Sequence, residues 1–259
     1  MKLGINGKIV LITASTNGIG KETARAFLQE GAIVFINGRD EKKLLEVQEE
    51  LSREYGEGRV YSVCGDAGSE KVICDMHDLI EAKYGKLDIL VPNLGRGKPI
   101  SENRLETNEW QYMMEVNLFS AVKLIDKFQD LLRLGTNPCI TMLSSIAALE
   151  KLSAPYAYAA SKSSILALIK YLSDDYAKDN IRVNGVIPGN IYFEGGRWEE
   201  LLAADRTGTE AYIRSNVPLK RFGKPEEIAS AIVFLASECS LFTTGSTLVI
   251  DGGQRRGWE

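Results

Sequence analysis

Seven short runs rich in β-branched residues recur along this chain, near 8–13, 32–37, 59–64, 88–92, 138–143, 181–187 and 246–250, with helical stretches between them. Runs of this length, bounded by turn residues, read as strands. The interval after the third run shows the helical period: Val72, Met76, Leu79, Ile80 and Lys83 fall on one face at spacings of three and four and stop before Gly85. Strands that alternate with helices pack as a parallel sheet covered on both faces. With right-handed crossovers, the expectation is an α/β fold: a Rossmann-type doubly wound sheet of about seven strands, with ligands received outside the strands' carboxyl ends near the reversal of strand order. Gly18, Asn93, Ser145 and Pro188 each follow an expected strand, so residues distant in sequence should converge on one crevice.

Nothing divides the 259 residues: there is no Pro/Gly/Ser-rich bridge, low-complexity stretch or repeat, so residues 1–259 are expected as one domain. Apolar residues make up 44% and charged residues 25%, ample for a core. Net charge is −4, from 31 basic and 35 acidic residues, which gives no reason to expect nucleic acid. The charged stretch from Asp40 to Arg53 reads as the solvated face of a helix. No apolar run is long enough to span a bilayer, and the start lacks the apolar core of a secretion signal, so a cytoplasmic location is expected. Cys64, Cys74, Cys139 and Cys239 lack ligand spacing and read as small buried hydrophobes. His77, the single histidine, reads as a surface or helix-packing residue.

Two patterns carry chemistry. In Thr13, Ala14, Ser15, Thr16, Asn17, Gly18, Ile19 and Gly20, a strand turns into a helix through glycines that let backbone N–H groups approach a pyrophosphate. In Tyr156-Ala-Tyr-Ala-Ala-Ser-Lys162, Tyr158 and Lys162 stand four apart, on one helix face. An ammonium so placed favours a phenolate that otherwise forms near pH ~10. Tyr156 has Ala160 at that spacing and reads as a pocket wall or packing residue.

Together these segments resemble the short-chain dehydrogenase/reductase family in its compact form, over nearly the whole chain. The family's first turn glycine is Ala14 here, a departure expected to need only an ordinary φ. The resemblance implies catalysis by Asn117, Ser145, Tyr158 and Lys162. Tyr158 would exchange a proton with the substrate oxygen, and Ser145 would hold that oxygen. Lys162 would bind the nicotinamide ribose and favour the tyrosinate, and Asn117 would hold a proton-carrying water. It further implies that Asp66, with Ala67 beside it, meets the adenine, that Asn93 and Gly95 border the adenosine ribose, and that Pro188, Gly189 and Ile191 meet the nicotinamide carboxamide. Phe193 replaces a frequent threonine.

At the end of the second strand, Gly38 removes the acid that would accept ribose hydroxyls, and Arg39 supplies a fork suited to a phosphate monoester. NADP(H) is therefore the expected cofactor, with NAD(H) possible, and no metal is expected. Residues from about 190 to 216 fit the family's variable substrate lid. Its Tyr192, Phe193, Arg197 and Trp198 suit a polar small molecule, and an amphipathic lid packing on its own domain fits equally. The expected reaction is hydride transfer between NADP(H) and a carbonyl or secondary alcohol, sugar-type or 3-oxoacyl-type. Alternatives are an NAD-linked sugar or polyol dehydrogenase and a nucleotide-binding regulatory protein. The family resemblance also implies a homotetramer.

Overall fold

In the computed structural model, which describes residues 2–257, all seven expected strands form. They are β1 (Ile9–Ile12), β2 (Ile33–Gly38), β3 (Val60–Cys64), β4 (Ile89–Val91), β5 (Cys139–Leu143), β6 (Arg182–Pro188) and β7 (Thr247–Ile250). Helices α1 (Gly18–Gln29), α2 (Glu41–Tyr55) and α3 (Glu70–Tyr84) link the first four strands. Helices α4 (Thr107–Met114) and α5 (Ser120–Arg133) lead to β5, and α6 (Tyr156–Asp175) leads to β6. Helices α7 (Arg197–Ala204), α8 (Arg206–Asn216) and α9 (Pro225–Ala236) precede β7.

The strands lie in one parallel sheet of order β3-β2-β1-β4-β5-β6-β7, so strand order reverses between β1 and β4. Side chains alternate across each strand. Val10 and Ile12 join Phe27 of α1, Leu44 and Val47 of α2 and Ile232 of α9 on one face. Ile9 and Leu11 join Met76 of α3, Phe128 of α5 and Ile165 of α6 on the other. Coverage on both faces explains why the strands read as unbroken apolar runs.

The charged stretch after Asp40 forms α2, which buries only Leu44, Val47 and Leu51 and begins on an Asp40 cap. His77 is a helix-packing residue: its ring lies edge-on to Phe128 with centroids 5.4 Å apart, and Nε2 lies 3.1 Å from Asp130. The cysteines depart from expectation. Only Cys139, in a central strand, is buried, whereas Cys64, Cys74 and Cys239 are exposed. Cys64 ends a strand at the edge of the sheet, Cys74 lies on the outer side of α3, and Cys239 sits in a short turn after α9. Between α4 and α5 the backbone widens into a π-turn over Glu115–Phe119, centred on Asn117. Such bulges cluster at functional sites.

Candidate active site

The turn after β1 is built by polar ties to neighbouring strands. Ser15 is fully buried; its Oγ donates to Ile12 O at 2.8 Å and accepts from Asn37 N–H at 2.9 Å. Asn93 Nδ2 donates to the carbonyls of Thr13 and Ala14, each at 3.0 Å. The amide of Asn93 is thus used to hold the turn. Asn37 adds a tie that sequence reasoning missed, its Oδ1 accepting from Ala14 N–H at 3.3 Å. Under this bracing Ala14 adopts φ +49°. The expectation of an ordinary φ is therefore corrected: the turn needs the left-handed conformation, which glycine enters without a Cβ penalty.

Gly20 fits because a Cβ there would stand 2.5 Å from Ala14 O and Asn93 Nδ2. Asn17 caps α1, accepting from Gly18 N–H at 2.9 Å, and Ile19 packs on the core. The N–H groups and dipole at the start of α1 have the polarity that suits an anion. At the end of β2 a Cβ on Gly38 would collide with Thr16 Cγ2, so no acidic side chain fits there without moving Thr16.

A groove of about 440 Å³ opens beside this turn. Exposed Arg39 and Asp66 border it, together with Leu94, Gly95 and the segment from Phe193 to Arg197. Asp66 does not cap α3, whose N-cap is Ser69; its Oδ1 accepts from Gly68 N–H at 2.9 Å, and Ala67 beside it is buried.

Four residues converge past Gly95. A Cβ on Gly95 would lie 3.1 Å from both Lys162 Nζ and Asn117 Oδ1, and one on Gly97 would lie 3.6 Å from the Tyr158 ring. Asn117, buried in the π-turn, accepts from Arg96 N–H at 2.9 Å and donates to Arg96 O at 3.1 Å, fixing this loop. Ser144 Oγ donates to Lys162 O at 2.8 Å and so pins α6 to β5. Next to it, Ser145 is half-buried and caps a short turn.

Burial pushes the Tyr158 phenol up from its ordinary pKa, and contact with Ser145 pulls it partly back. One helical turn on, Lys162 Nζ donates to Leu143 O at 3.0 Å. Burial lowers the Lys162 ammonium itself to about 8. Tyr156 is half-exposed, with the Arg104 guanidinium 5.1 Å from its ring centroid, so it packs against the loop before α4.

At the end of β6, Pro188 pairs with Ile250, and a Cβ on Gly189 would come 2.7 Å from Asp251 Cα. Ile191 bridges Gly223 through its neighbours' backbone groups, Asn190 O and Tyr192 N–H. That leaves its own N–H and C=O without a partner among the described residues, an amide-shaped pair of contacts.

Beyond it the chain folds back over the first turn. Carbons of the Phe193 ring stand 2.8 Å from the Cβ position of Gly18, Asn17 Nδ2 donates to Glu194 O at 2.6 Å, and Gly195 turns at φ +74°. Trp198 stacks on Tyr212 and leans on Phe222, with centroids 5.8 and 5.3 Å away. Arg197 and Lys98 both pair with Glu200.

Residues 13–255 match the family described as enoyl-(acyl carrier protein) reductase. The chain belongs to the short-chain dehydrogenase/reductase family. It is 34% identical to glucose 1-dehydrogenase of Gluconobacter oxydans over 95% of this chain and 91% of that one. Identity is 32% to 3-oxoacyl-[acyl-carrier-protein] reductase of Thermotoga maritima, over 96% and 98% of the two chains. L-sorbose reductase from Gluconobacter frateurii, solved with NADPH and L-sorbose, superposes at a TM-score of 0.90 with 31% identity, over 99% of this chain and 100% of that one. As a short-chain dehydrogenase/reductase, the protein is an NAD(P)-dependent oxidoreductase acting on CH–OH and C=O groups.

Proposed function

We propose that the protein is an NADP(H)-dependent carbonyl reductase and secondary-alcohol dehydrogenase, acting on a sugar-type or 3-oxoacyl-type small molecule. The observation that carries this reading is the convergence of Ser145, Tyr158, Lys162 and Asn117 around Gly95 to Gly97, beside the turn after β1. The relatives named above act on both substrate types.

Residues from Ala14 to Gly20 would hold the pyrophosphate. Arg39, unopposed by an acid at Gly38, would take a 2′-phosphate, with Asp66 and Ala67 at the adenine. Ile191, placed by Pro188 and Gly189, would meet the carboxamide, and Asn93 and Gly95 would shape the floor. When bound, the nicotinamide supplies or accepts the hydride. For reduction, Tyr158 Oη donates its proton to the carbonyl oxygen, which Ser145 Oγ also binds. Burial keeps that phenol protonated near neutral pH. Lys162 sits one helical turn on and stabilises the phenolate left behind, and Asn117 holds the loop and the route by which the proton is restored.

Initial rates with L-sorbose and an acetoacetyl thioester, each with NADPH and NADH, test the reading. NADPH should win on kcat/KM, and a preference for NADH would overturn the cofactor choice. Tyr158→Phe should cut turnover about 10²- to 10⁴-fold while NADPH still raises Tm. Unchanged turnover would remove Tyr158 from the mechanism.

Two apolar faces support a homotetramer. Phe119 and Val122 are exposed at the start of α5, and Phe234, Leu241, Phe242 and Leu248 are exposed around α9 and β7. Light scattering would report the assembly, and a monomer would refute it. No helix among the described residues is long and apolar enough to cross a membrane, and the exposed free thiols suit the reducing cytoplasm we infer.

A further inference from the structure

We propose that Gln254 is a positioning residue that clamps lid helix α8 to the strand end carrying Ile191, so that the nicotinamide end of the site and the lid shift as one body. The inference rests on the reading of the site given above and adds to it a route by which the seating of the cofactor reaches the lid.

Gln254 follows β7 and is buried, as is Asn190 after β6. Asn190 Nδ2 donates to Gln254 Oε1 at 2.5 Å, and Gln254 Nε2 donates to Tyr212 Oη of α8 at 3.0 Å. Among the described residues, this side-chain amide bonds to two other segments and to nothing in its own. A buried amide is costly unless its polar ends are paired, so the two partners are held to each other through it. The turn that carries Gln254 is itself fixed: the Asp251 carboxylate accepts from Gly253 N–H at 2.8 Å and from Arg255 N–H at 2.7 Å. Gly252 O accepts from Leu219 N–H at 3.1 Å, just past the end of α8.

A second arm runs back from Tyr212. Its ring stacks on Trp198 of α7, Trp198 leans on Phe222, and the Phe222 ring centroid lies 5.9 Å from that of Tyr192. Asn190 and Tyr192 flank Ile191, so the hydrogen-bonded arm and the aromatic arm close a ring on the two neighbours of one residue. Gly223, next to Phe222, completes the join: its N–H donates to Asn190 O and its C=O accepts from Tyr192 N–H. A displacement of Ile191 is therefore passed to α7 and α8 from both sides. The aromatic arm is non-directional packing and tolerates slip, whereas the amide fixes distance and angle. Without Gln254 the lid should stay packed but lose its registration to Ile191.

Two ligands separate the ends of the site. In the proposed pose NADP⁺ reaches from Arg39 to Ile191, and adenosine 2′,5′-bisphosphate carries the adenosine end alone. Hydrogen exchange followed by mass spectrometry should show NADP⁺ slowing amides in residues 189–192 and in residues 206–216, and the bisphosphate slowing neither segment. Gln254→Met keeps the volume and removes both hydrogen bonds; protection by NADP⁺ should persist at 189–192 and be lost at 206–216. Tyr212→Phe breaks only the bond to the lid, keeps the ring on Trp198, and should give the same pattern. By calorimetry, NADP⁺ binding should weaken about tenfold in both variants, and bisphosphate binding should change by less than about twofold.

Protection of 206–216 that survives in both variants, or equal weakening of the two ligands, would overturn the proposal. NADP⁺ that slows 189–192 but not 206–216 in the unmodified enzyme would also overturn it and leave the cofactor reading standing. If NADP⁺ slows neither segment, that reading fails, and ligand-free exchange decides whether Gln254 holds the lid. Gln254→Met should then speed exchange in α8 about tenfold, and an unchanged rate would overturn the clamp.

Discussion

The shelf at the strand ends and the lid over it are held together by different forces. On the shelf, polar side chains bond to backbone groups from distant segments: Asn93 to Thr13 and Ala14, Asn117 to Arg96, Lys162 to Leu143. In the lid, contacts run between neighbouring or exposed side chains, such as Arg197 with Glu200 three residues on and Trp198 with Tyr212. Buried, backbone-tied groups keep a geometry within fractions of an ångström. Exposed pairs contribute about 0–1 kcal/mol each. The proposed chemistry thus rests on rigid ties and the proposed substrate boundary on soft ones, a division that would let one fold serve many carbonyl compounds.

If the shelf stores free energy for function, its buried ammonium is where the largest effect should appear. Lys162 is held at about 8 by burial, against 10.5 when exposed. A folded value below the unfolded one penalises the folded state fully below pH ~8, and the penalty fades as pH rises toward ~10.5. The difference of 2.5 between those two values corresponds to about 3 kcal/mol. Lys162→Met should therefore stabilise the protein at pH 7 by about 2–3 kcal/mol while cutting turnover at least about 10²-fold. The gain should shrink to about half by pH 9.5. Urea unfolding at both pH values measures it, and a gain independent of pH would show that the shelf carries no such charge penalty.

The lid should respond in rate rather than in stability. The Phe193 ring lies against Gly18, over the N-terminus of α1, where we propose that the pyrophosphate binds. Cofactor entry then waits on the fraction of molecules in which the ring has swung away. Phe193→Ala should speed NADPH association by about tenfold with little change in Tm. Stopped-flow fluorescence reads this directly. Slower association would mean that the ring forms part of the cofactor's own wall, and the lid would then be as fixed a part of the site as the shelf.

The same contrast explains what could be read from sequence. Strand ends were legible because β-branched runs and the turns after them obey local rules, and Gly18, Ser145, Tyr158 and Lys162 inherit their placement from those runs. The ties that fix the shelf were not. Asn37 is one polar residue in an apolar strand, and its partner Ala14 lies 23 residues away. The π-turn around Asn117 leaves no compositional trace, since Glu-Val-Asn-Leu-Phe reads as ordinary helix. In the lid, aromatic residues were legible and their direction was not: Trp198 turned to Tyr212 and Phe222, its nearest apolar surfaces.

Ala14 offers the smallest test and the one that separates the two regions most directly. Its φ of +49° puts an alanine Cβ where only glycine is relaxed, at a cost of about 1–2 kcal/mol. The surrounding ties from Ser15, Asn37 and Asn93 override that cost, as expected of a turn whose shape is set by its neighbours rather than by its own residue. Ala14→Gly relieves the strain and also frees the unfolded chain, an opposing effect of about 0.4–1 kcal/mol. The net expectation is a stabilisation of about 0.5–1 kcal/mol, or roughly 2 °C in Tm for a chain of this size. In the lid the reverse change, Gly195→Ala at φ +74°, is braced only by exposed groups, Glu199 Oε2 on the Gly195 N–H and Asn17 Nδ2 on Glu194 O, and should let the strap relax away from Asn17 rather than hold a strained turn. A Tm that falls in Ala14→Gly would show that the alanine methyl packs usefully against the turn, and that the shelf tolerates its strain because it gains contact in return.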